Sequence, residues 1–251
     1  MDEHVEIGPA QPFDDLPTLR DVPSATAAQM GEADRIASEE LGIPLEWLME
    51  NASHQIAVAA RVFLGSVANK RIVAFVGSGN NGGDALGALR HLSGWGANVG
   101  AVLSGPSERL RPLARRQHEI LTKLGLPREA IAVDDADLVI DGLLGYSVTG
   151  PPRDAVADLI RAANASRLPI LAVDLPSGLH PDTGEPLGVT IRAALTVTLA
   201  LPKRGLIAAR SRALVGDLLL ADIGIPPQVF DRLTIETRGL FESADLVRII
   251  R

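Results

Sequence analysis

The stretch RIVAFVGSGNNGGD spans residues 71–84 and joins an apolar run to a segment with four glycines in eight positions. An uninterrupted apolar run of this kind is typical of a strand buried on both faces of a parallel sheet. The residues after it predict a helix from about Gly83 to Gly94. The stretch therefore predicts one strand–turn–helix unit, with the glycines at the turn.

The rest of the chain repeats this alternation of short apolar runs and helical stretches. Further strands are predicted at residues 98–103, 138–141, 169–174, 194–200 and 217–222, and further helices at residues 106–124 and 152–163. Two more helices, at residues 24–41 and 44–64, precede the first strand. Strands and helices that alternate in this way form a parallel sheet with helices on both faces. The sequence therefore predicts the α/β class.

The composition fits a single folded domain. Hydrophobic residues make up 46% of the 251 residues and charged residues 22%, a balance that excludes a disordered or fibrous chain. Aromatic residues are only 3%, so we expect a core of aliphatic side chains. The chain has no cysteine, which excludes disulfides, thiolate metal sites and a cysteine nucleophile. One domain over residues 25–251 is predicted.

Negative charge is concentrated in residues 1–24, which hold six acidic residues, one arginine and four prolines. This segment is predicted to be an arm that is either mobile or laid over a partner. The net charge is −7, and no basic stripe offers the phosphate contacts that a nucleic acid requires. No apolar run reaches the roughly 20 residues that span a bilayer, and the N-terminus has no targeting pattern. A cytoplasmic protein without nucleic-acid or membrane partners is expected.

The glycine segment has two interpretations. Gly77, Gly79 and Gly82 have the G-x-G-x-x-G spacing between a strand and a helix, a context in which backbone amides bind phosphate. A dinucleotide site would also need an acidic residue about 20 positions further on, and the end of the second strand, residues 102–105, has none. In the other interpretation the glycines supply positive backbone angles for a tight turn, and Asp84 caps the helix.

Polar residues follow two other predicted strands at the point where each one ends. Asp141 closes the third strand, and Asp174 closes the fourth and is followed by Ser177. Because the carboxyl ends of parallel strands share one edge of the sheet, these side chains and Asn81 are predicted to form one oxygen-rich cluster. A single Asp in such a place is more often a turn former, so the prediction depends on several loops converging.

Five segments in order resemble the NAD(P)H-hydrate (NAD(P)HX) epimerase family, also called the YjeF N-terminal domain family. They are Leu48-Met49-Glu50-Asn51-Ala52, Asn80-Asn81-Gly82-Gly83-Asp84, residues 141–151, residues 173–179, and Thr196-Val197-Thr198 with residues 201–206. Together they cover roughly residues 27–226, and the acidic arm lies outside them. The resemblance implies a Rossmann-like three-layer αβα sandwich with a mostly parallel sheet, preceded by the two N-terminal helices, and a homodimer.

The resemblance also implies an isomerase that interconverts the R and S forms of hydrated NADH and NADPH, written NADHX and NADPHX. The hydrate has a hydroxyl at C6 of its reduced nicotinamide ring, and one epimer feeds a dehydratase, expected on a separate chain, that restores the coenzyme. By similarity, the hydrate is bound by Asn80, Asn81, Gly82, Gly83, Asp84, Gly145, Tyr146, Ser147, Val148, Thr149, Gly150, Pro151 and Asp174. A potassium ion is implied at Asn81, Asp141 and Ser177, whose oxygens suit a hard cation.

Epimerisation at C6 needs a group that protonates the departing hydroxyl and deprotonates the returning water. Asp174 is the predicted acid/base, because a strand-end carboxylate beside a loop is rigidly held. Lys203 is the second candidate, as a proton donor or as an electrostatic partner for the substrate phosphates; the alternative is a surface lysine. Asp84 is expected to order the glycine segment rather than to react.

Two other functions are compatible with the same fold. A nucleotide-dependent oxidoreductase would bind the plain coenzyme with the loop at residues 77–82, and the missing acidic residue counts against it. A catalytically silent nucleotide-binding or scaffolding module would keep the site without turning substrate over. The presence of Asn81, Asp141, Asp174 and Ser177 favours the enzyme.

Overall fold

The computed structural model describes residues 12–126, 133–148 and 150–251. Within these ranges the strands are β1 (Thr18–Leu19), β2 (Arg71–Val76), β3 (Asn98–Leu103), β4 (Leu138–Gly142), β5 (Ile170–Val173), β6 (Leu195–Leu199), β7 (Asp217–Ala221) and β8 (Leu246–Ile249). The α-helices in the same ranges are α1 (Ala27–Arg35), α2 (Leu45–Leu64), α3 (Asn80–Gly94), α4 (Pro112–Lys123), α5 (Asp154–Ser166), α6 (Arg204–Ile207), α7 (Arg212–Val215) and α8 (Pro227–Asp231). None of these helices is long and apolar enough to cross a membrane.

The strands form one sheet in the order β1-β8-β7-β6-β5-β4-β2-β3. Each neighbouring pair in this order is parallel except β7 and β8, which are antiparallel. The predicted α/β class and the mostly parallel sheet are confirmed. The sequence prediction lacks β1 and β8, because the first has two residues and the second has only four, interrupted by Arg248.

Helices cover both faces of the sheet, which gives the predicted three layers. The alternation along β2 shows the arrangement. Ile72, Ala74 and Val76 pack in one core with α2, α3 and α4, whereas Val73 and Phe75 pack with α5 on the other face. A third core lies between β7, β8 and the short helices α6 and α7.

The first helix is fixed at its start by a reciprocal pair of hydrogen bonds. The Thr26 hydroxyl accepts the Gln29 N–H over 3.1 Å, and the Gln29 side chain accepts the Thr26 N–H over 2.9 Å. This capping box determines where α1 begins and therefore which of its residues face the sheet. A π-helical turn, Ile36–Glu40, continues α1, so the predicted helix over residues 24–41 is two consecutive segments.

Residues 12–24 pack against the domain and do not extend away from it. Phe13 is 1% exposed and stacks beside Phe63 of α2, with 6.1 Å between the ring centroids. Thr18–Leu19 pair with residues 248–249 of β8. One buried aromatic and a two-residue strand leave no periodic pattern, which is why the sequence indicates an arm here. Residues 1–11 of the predicted arm lie outside the described residues.

The chain reverses its direction across the sheet at β2, which lies between β3 and β4. A crevice forms above the strand ends at such a switch point. Phe75 is paired with Asp141 and Val76 with Gly142, so the glycine segment and the loop after β4 start side by side. Asp174 follows β5, which is the next strand along the sheet. The topology therefore brings three loops to one place.

Candidate functional site

The glycine segment is a short turn followed by the first turn of α3. The helix begins at Asn80, three residues earlier than predicted, and neither Gly77, Gly79 nor Gly82 has a positive φ. A Cβ on Gly77 would lie 1.8 Å from the carbonyl oxygen of Leu143, and one on Gly82 would lie 2.1 Å from the carbonyl oxygen of Gly77. The expectation of positive backbone angles is therefore wrong. Gly77 is needed because its backbone lies against the loop after β4, and Gly82 is needed because the first turn of α3 packs on the backbone of Gly77.

Gly77→Ala is expected to destabilise the protein by about 3 kcal/mol, because the new methyl group overlaps backbone atoms that cannot move independently. The Gly77 N–H donates to the Gly142 carbonyl over 3.0 Å, so separating the two segments also breaks a hydrogen bond. Gly79→Ala is the matched control, since a Cβ there meets nothing within 4 Å. Its effect is expected to stay within about 0.5 kcal/mol. Urea unfolding measures both variants, and equal stabilities would contradict the packing argument.

The structure brings Asn81, Asp141 and Ser177 together around the backbone of Leu144. The Asn81 amide donates to the Leu144 carbonyl over 3.0 Å, and the Leu144 N–H donates to the Ser177 hydroxyl over 2.9 Å. Asp141 accepts the hydroxyl and the N–H of Ser177 over 2.7 and 2.8 Å, and the Leu143 N–H over 3.2 Å. Burial raises the pKa of Asp141 to about 6, although these hydrogen bonds oppose the rise.

The chemistry of this cluster fits a hard monovalent cation. Its donors are one carboxylate, one amide oxygen, one hydroxyl and the carbonyl of Leu144, and such oxygens suit an alkali cation. With a single carboxylate among them, the donors match a low charge. Across the three described ranges, no group of three His, Cys, Asp or Glu residues could hold a metal ion. Asn81, Asp141 and Ser177 are therefore compatible with K⁺.

Asp174 and Lys203 form a buried ion pair, with side-chain exposures of 4% and 1%. The Lys203 ammonium also donates to the Leu199 carbonyl over 3.1 Å, and the Asp174 carboxylate accepts the Leu199 N–H over 3.4 Å. Lys203 is held inside because its loop is bridged to Ala25, whose carbonyl accepts the Arg204 N–H over 3.0 Å. Lys203 is therefore not a surface lysine.

Two further carboxyl groups lie near this pair. Asp34 of α1 accepts the Tyr146 hydroxyl over 2.5 Å, and the Tyr146 ring centroid is 5.5 Å from the Lys203 ammonium. Asp84 of α3 is 7% exposed, and no described residue donates a hydrogen bond to its carboxyl group. Burial raises the pKa of Asp34 and of Asp84, and the charge of Asp174 adds to both effects. The expectation that Asp84 caps the helix is wrong, because α3 begins earlier and its N-cap is Gly79.

These groups line a cavity of about 370 Å³ at the switch point. Of the residues predicted to bind substrate or to react, those that line it are Asn80, Asn81, Asp84, Gly145, Tyr146, Ser147, Val148, Asp174 and Lys203. Gly82, Gly83, Gly150 and Pro151 are described but do not line it, and Thr149 lies outside the described residues. Gly83 instead faces Met49 of α2, where a Cβ would come within 2.6 Å of the methionine methyl group.

Sequence reasoning missed two charged residues of the cavity, Asp34 and Arg111. Asp34 lies four residues after Met30, which also lines the cavity, so the two share one face of α1. The spacing of Met30 and Asp34 could have predicted that both face the same site. However, α1 has several polar residues, and nothing in the sequence distinguishes Asp34 from the others. Arg111 is exposed at the rim, and its N–H donates to the Ser78 carbonyl over 2.8 Å.

The chain is similar to several known proteins. Residues 45–205 match the family described as YjeF-related protein N-terminus. A Moorella thermoacetica protein named bifunctional NAD(P)H-hydrate repair enzyme Nnr is 44% identical over 216 residues, which cover 81% of this chain and 41% of that protein. A Dehalogenimonas lykanthroporepellens protein named NAD(P)H-hydrate epimerase is 39% identical over 230 residues, which cover 89% of this chain and 91% of that protein.

A solved structure shares the fold. The crystal structure of yeast ynu0, YNL200c, superimposes with a TM-score of 0.78 at 22% sequence identity, covering 90% of this chain and 100% of the yeast chain. At that identity the likeness shows the fold alone. The bifunctional relatives from Moorella thermoacetica and Pyrobaculum aerophilum are much longer, and the chain spans 41% and 42% of their lengths. The family match covers most of the domain, and the chain belongs to the family of YjeF-related protein N-terminus proteins.

Proposed function

We propose that the protein is an NAD(P)H-hydrate epimerase, which interconverts the R and S epimers of NADHX and NADPHX. The observation that carries the proposal is the buried Asp174–Lys203 pair beside a cavity at the switch point of the sheet. The cavity, about 370 Å³, lies in the size range of small-molecule sites. The relatives named NAD(P)H-hydrate epimerase support the choice of substrate.

The chemistry at C6 requires proton transfer at oxygen. C6 of the hydrate is bonded to the ring nitrogen N1, whose lone pair expels the hydroxyl once that oxygen receives a proton. Water then returns to C6 on the other face and gives up a proton. Asp174 is suited to this transfer because Lys203 and the Leu199 N–H hold its carboxylate in one place. Lys203 also supplies a positive charge that balances the carboxylate during the reaction.

The distribution of charge around the cavity orients the dinucleotide. The inner part of the cavity is lined by Asp34, Asp84 and Asp174, and its lysine, Lys203, is already paired with Asp174, so it has no unpaired cation for the substrate diphosphate among the described residues. Arg111 is exposed at the rim, near the first turn of α3 at Asn80, where backbone amides and a guanidinium attract anions. We therefore place the nicotinamide ring beside Asp174 and the diphosphate at the rim. The lack of an acidic residue after β3 counts against the dinucleotide-binding mode of the oxidoreductase alternative.

We also propose that K⁺ binds at Asn81, Asp141 and Ser177. A bound cation would neutralise the Asp141 carboxylate and connect α3 with the loops after β4 and β5. Potassium is expected to raise both the epimerase activity and the melting temperature of the wild type, because a ligand that binds only the folded state stabilises it. Asp141→Ala is expected to lose both responses.

The comparison that isolates the cation is potassium against choline at equal ionic strength, with activity and thermal unfolding as the two readouts. Asp137→Ala is the matched control: Asp137 lies before β4, at the opposite end of the strand, and is paired with Lys70. This variant should keep both responses to potassium. A wild type whose activity and melting temperature ignore potassium would contradict the cation site.

The partners implied by this function are proposals as well. A dehydratase on a separate chain is proposed as the functional partner, and the greater length of the bifunctional relatives supports a second activity in the same repair. In the predicted homodimer we expect Trp47, which is 66% exposed at the start of α2, at the contact between subunits. Leu48 is buried and belongs to the core. A cytoplasmic location stays a prediction.

A chiral chromatographic assay tests the proposed function. Purified protein is added to one separated epimer of NADHX in the presence of potassium, and formation of the other epimer is compared with the spontaneous rate. Acceleration over that rate is expected. A folded protein that gives no acceleration would support the catalytically silent module, and tight binding of plain NADH would support the oxidoreductase.

A further inference from the structure

We propose that Asp84 is a second acid/base of this site and acts on the face of C6 opposite to the face served by Asp174. The inference rests on the proposed epimerase function and deepens it, because it assigns a proton-transfer group to each face of the reacting carbon. Asp84 would then be a catalytic residue and not a residue that merely orders the glycine segment.

The first observation behind this inference is the isolation of the Asp84 carboxyl group. Asp84 is 7% exposed and lines the cavity, and no residue of the described ranges donates a hydrogen bond to it. Buried polar groups in proteins are nearly always hydrogen-bonded, so an unpartnered carboxyl beside a cavity needs an explanation. A substrate hydroxyl or a reacting water would supply the missing partner.

The second observation is that Asp84 and Asp174 reach the cavity from different elements. Asp84 belongs to α3, which follows β2, whereas Asp174 directly follows β5, and β4 separates these two strands in the sheet. Both positions are rigid. α3 is fixed by the close packing of Gly82 and Gly83, and Asp174 is fixed by Lys203. A ring in the cavity therefore has one carboxyl group on the side of α3 and another on the side of β5.

The third observation is that the two carboxyl groups have opposite environments. Asp174 has Lys203 as its counter-ion. Asp84 has no cationic partner among the described residues, and its burial and the nearby charge of Asp174 raise its pKa well above the usual value. Asp34 adds to this rise, and the charge of Lys203 opposes it. A carboxyl group that tends to keep its proton and a carboxylate that is paired with a lysine can serve as an acid and a base in one site.

In this reaction one proton is delivered at one face of C6 and one is removed at the other face. In one direction Asp84 donates its proton to the C6 hydroxyl, the C6–O bond breaks with loss of water, and the N1 lone pair forms the N1=C6 bond. A second water adds to C6 on the opposite face, its proton goes to Asp174, and the electrons of the N1=C6 bond return to N1. The opposite direction exchanges the two roles. Inversion needs both groups, because the departing and entering oxygens lie on opposite faces of the ring.

An oxygen-exchange experiment distinguishes two roles for Asp84. Either it transfers protons at one face of C6, or it only supports the structure of the site. Each epimer of NADHX is incubated with enzyme in water enriched in oxygen-18, and the two epimers are separated and analysed by mass spectrometry. Asp84→Asn is expected to lower inversion by at least about 100-fold. One epimer should still exchange its C6 oxygen without inversion, because Asp174 continues to serve its face. Asp174→Asn should allow exchange of the other epimer only.

Two outcomes would overturn the inference while leaving the epimerase function in place. In the first, the wild type inverts C6 and Asp84→Asn does so at the same rate. In the second, Asp84→Asn slows inversion and the oxygen exchange of both epimers by the same factor, as expected for a structural or binding role. A wild type that converts neither epimer would instead overturn the proposed function itself.

Matched variants control for effects on folding and binding. The Asp84 carboxyl group has no hydrogen bond to lose, and Asp84→Ser, which is smaller, should give the same exchange pattern as Asp84→Asn. Asp34→Asn alters a neighbouring carboxyl group whose partner is Tyr146. It is expected to slow inversion and exchange together for both epimers. Exchange of only one of the two epimers should therefore occur only in the variants of Asp84 and Asp174.

Discussion

Asp174→Asn is expected to lower kcat for epimerisation by at least about 100-fold, the usual contribution of a general acid or base. The amide keeps the size of the side chain, and its oxygen still accepts the Lys203 ammonium, but it can no longer transfer the proton. KM should change little, because the shape of the cavity is preserved. Steady-state kinetics on separated epimers of NADHX measure both constants.

Asp158→Asn is the matched control for this variant. Asp158 lies on α5, its side chain is 76% exposed, and its partner Arg161 is 62% exposed. The same change of chemistry is therefore made far from the cavity, and activity should stay at the wild-type level. Full activity in Asp174→Asn would show that Asp174 is not the acid/base.

Lys203→Met is expected to lower the free energy of unfolding by about 3 to 5 kcal/mol, because it leaves the Asp174 carboxylate buried without its counter-ion. The side chains of this pair are 1% and 4% exposed, so solvent cannot replace the lost ammonium. Methionine fills nearly the same volume as the lysine stem, which limits any cavity effect. Urea unfolding of the variant and the wild type measures the loss.

The double variant Lys203→Met with Asp174→Asn separates charge from packing. It removes both charges, and we expect it to recover most of the stability lost in Lys203→Met. If the two single changes instead destabilise the protein additively, the stability derives from packing around Lys203 and not from the ion pair.

The strands of the central sheet were predictable because each is a continuous apolar run bounded by turn residues. β2, for example, has the predicted bounds, Arg71–Val76. The start of α3 was not, since glycine and asparagine usually indicate a turn. Here the residues from Asn80 onward form helix, and Gly82 fits because its place in the first turn of α3 leaves no room for a Cβ beside the carbonyl of Gly77. β8 is also a tertiary effect, since a four-residue strand is stabilised mainly by its neighbours.

The site could be predicted where a functional side chain lies at the end of a predicted strand, as Asp141 and Asp174 do. It was not predictable where a residue arrives from another part of the chain. Asp34 reaches the cavity only because α1 packs beside the sheet, and Lys203 is buried only because its loop is bridged to Ala25. No sequence pattern could have predicted that the Asp84 carboxyl group accepts no hydrogen bond from the described residues, because its neighbours are determined by the tertiary fold.

Asp174 has a left-handed backbone conformation, with a φ of 66°, and this limits how the gene can vary at its codon. Asp and Asn tolerate such a φ better than most other residues with a side chain, whereas Glu has no such tolerance. A single nucleotide change converts an Asp codon to an Asn codon, and the product keeps both the backbone conformation and an oxygen for Lys203. In a library of random point mutations, this codon should therefore yield folded clones without activity, which are less stable than the wild type because the buried Lys203 ammonium has lost its counter-ion. Such clones could be developed into a protein that binds the hydrate without converting it.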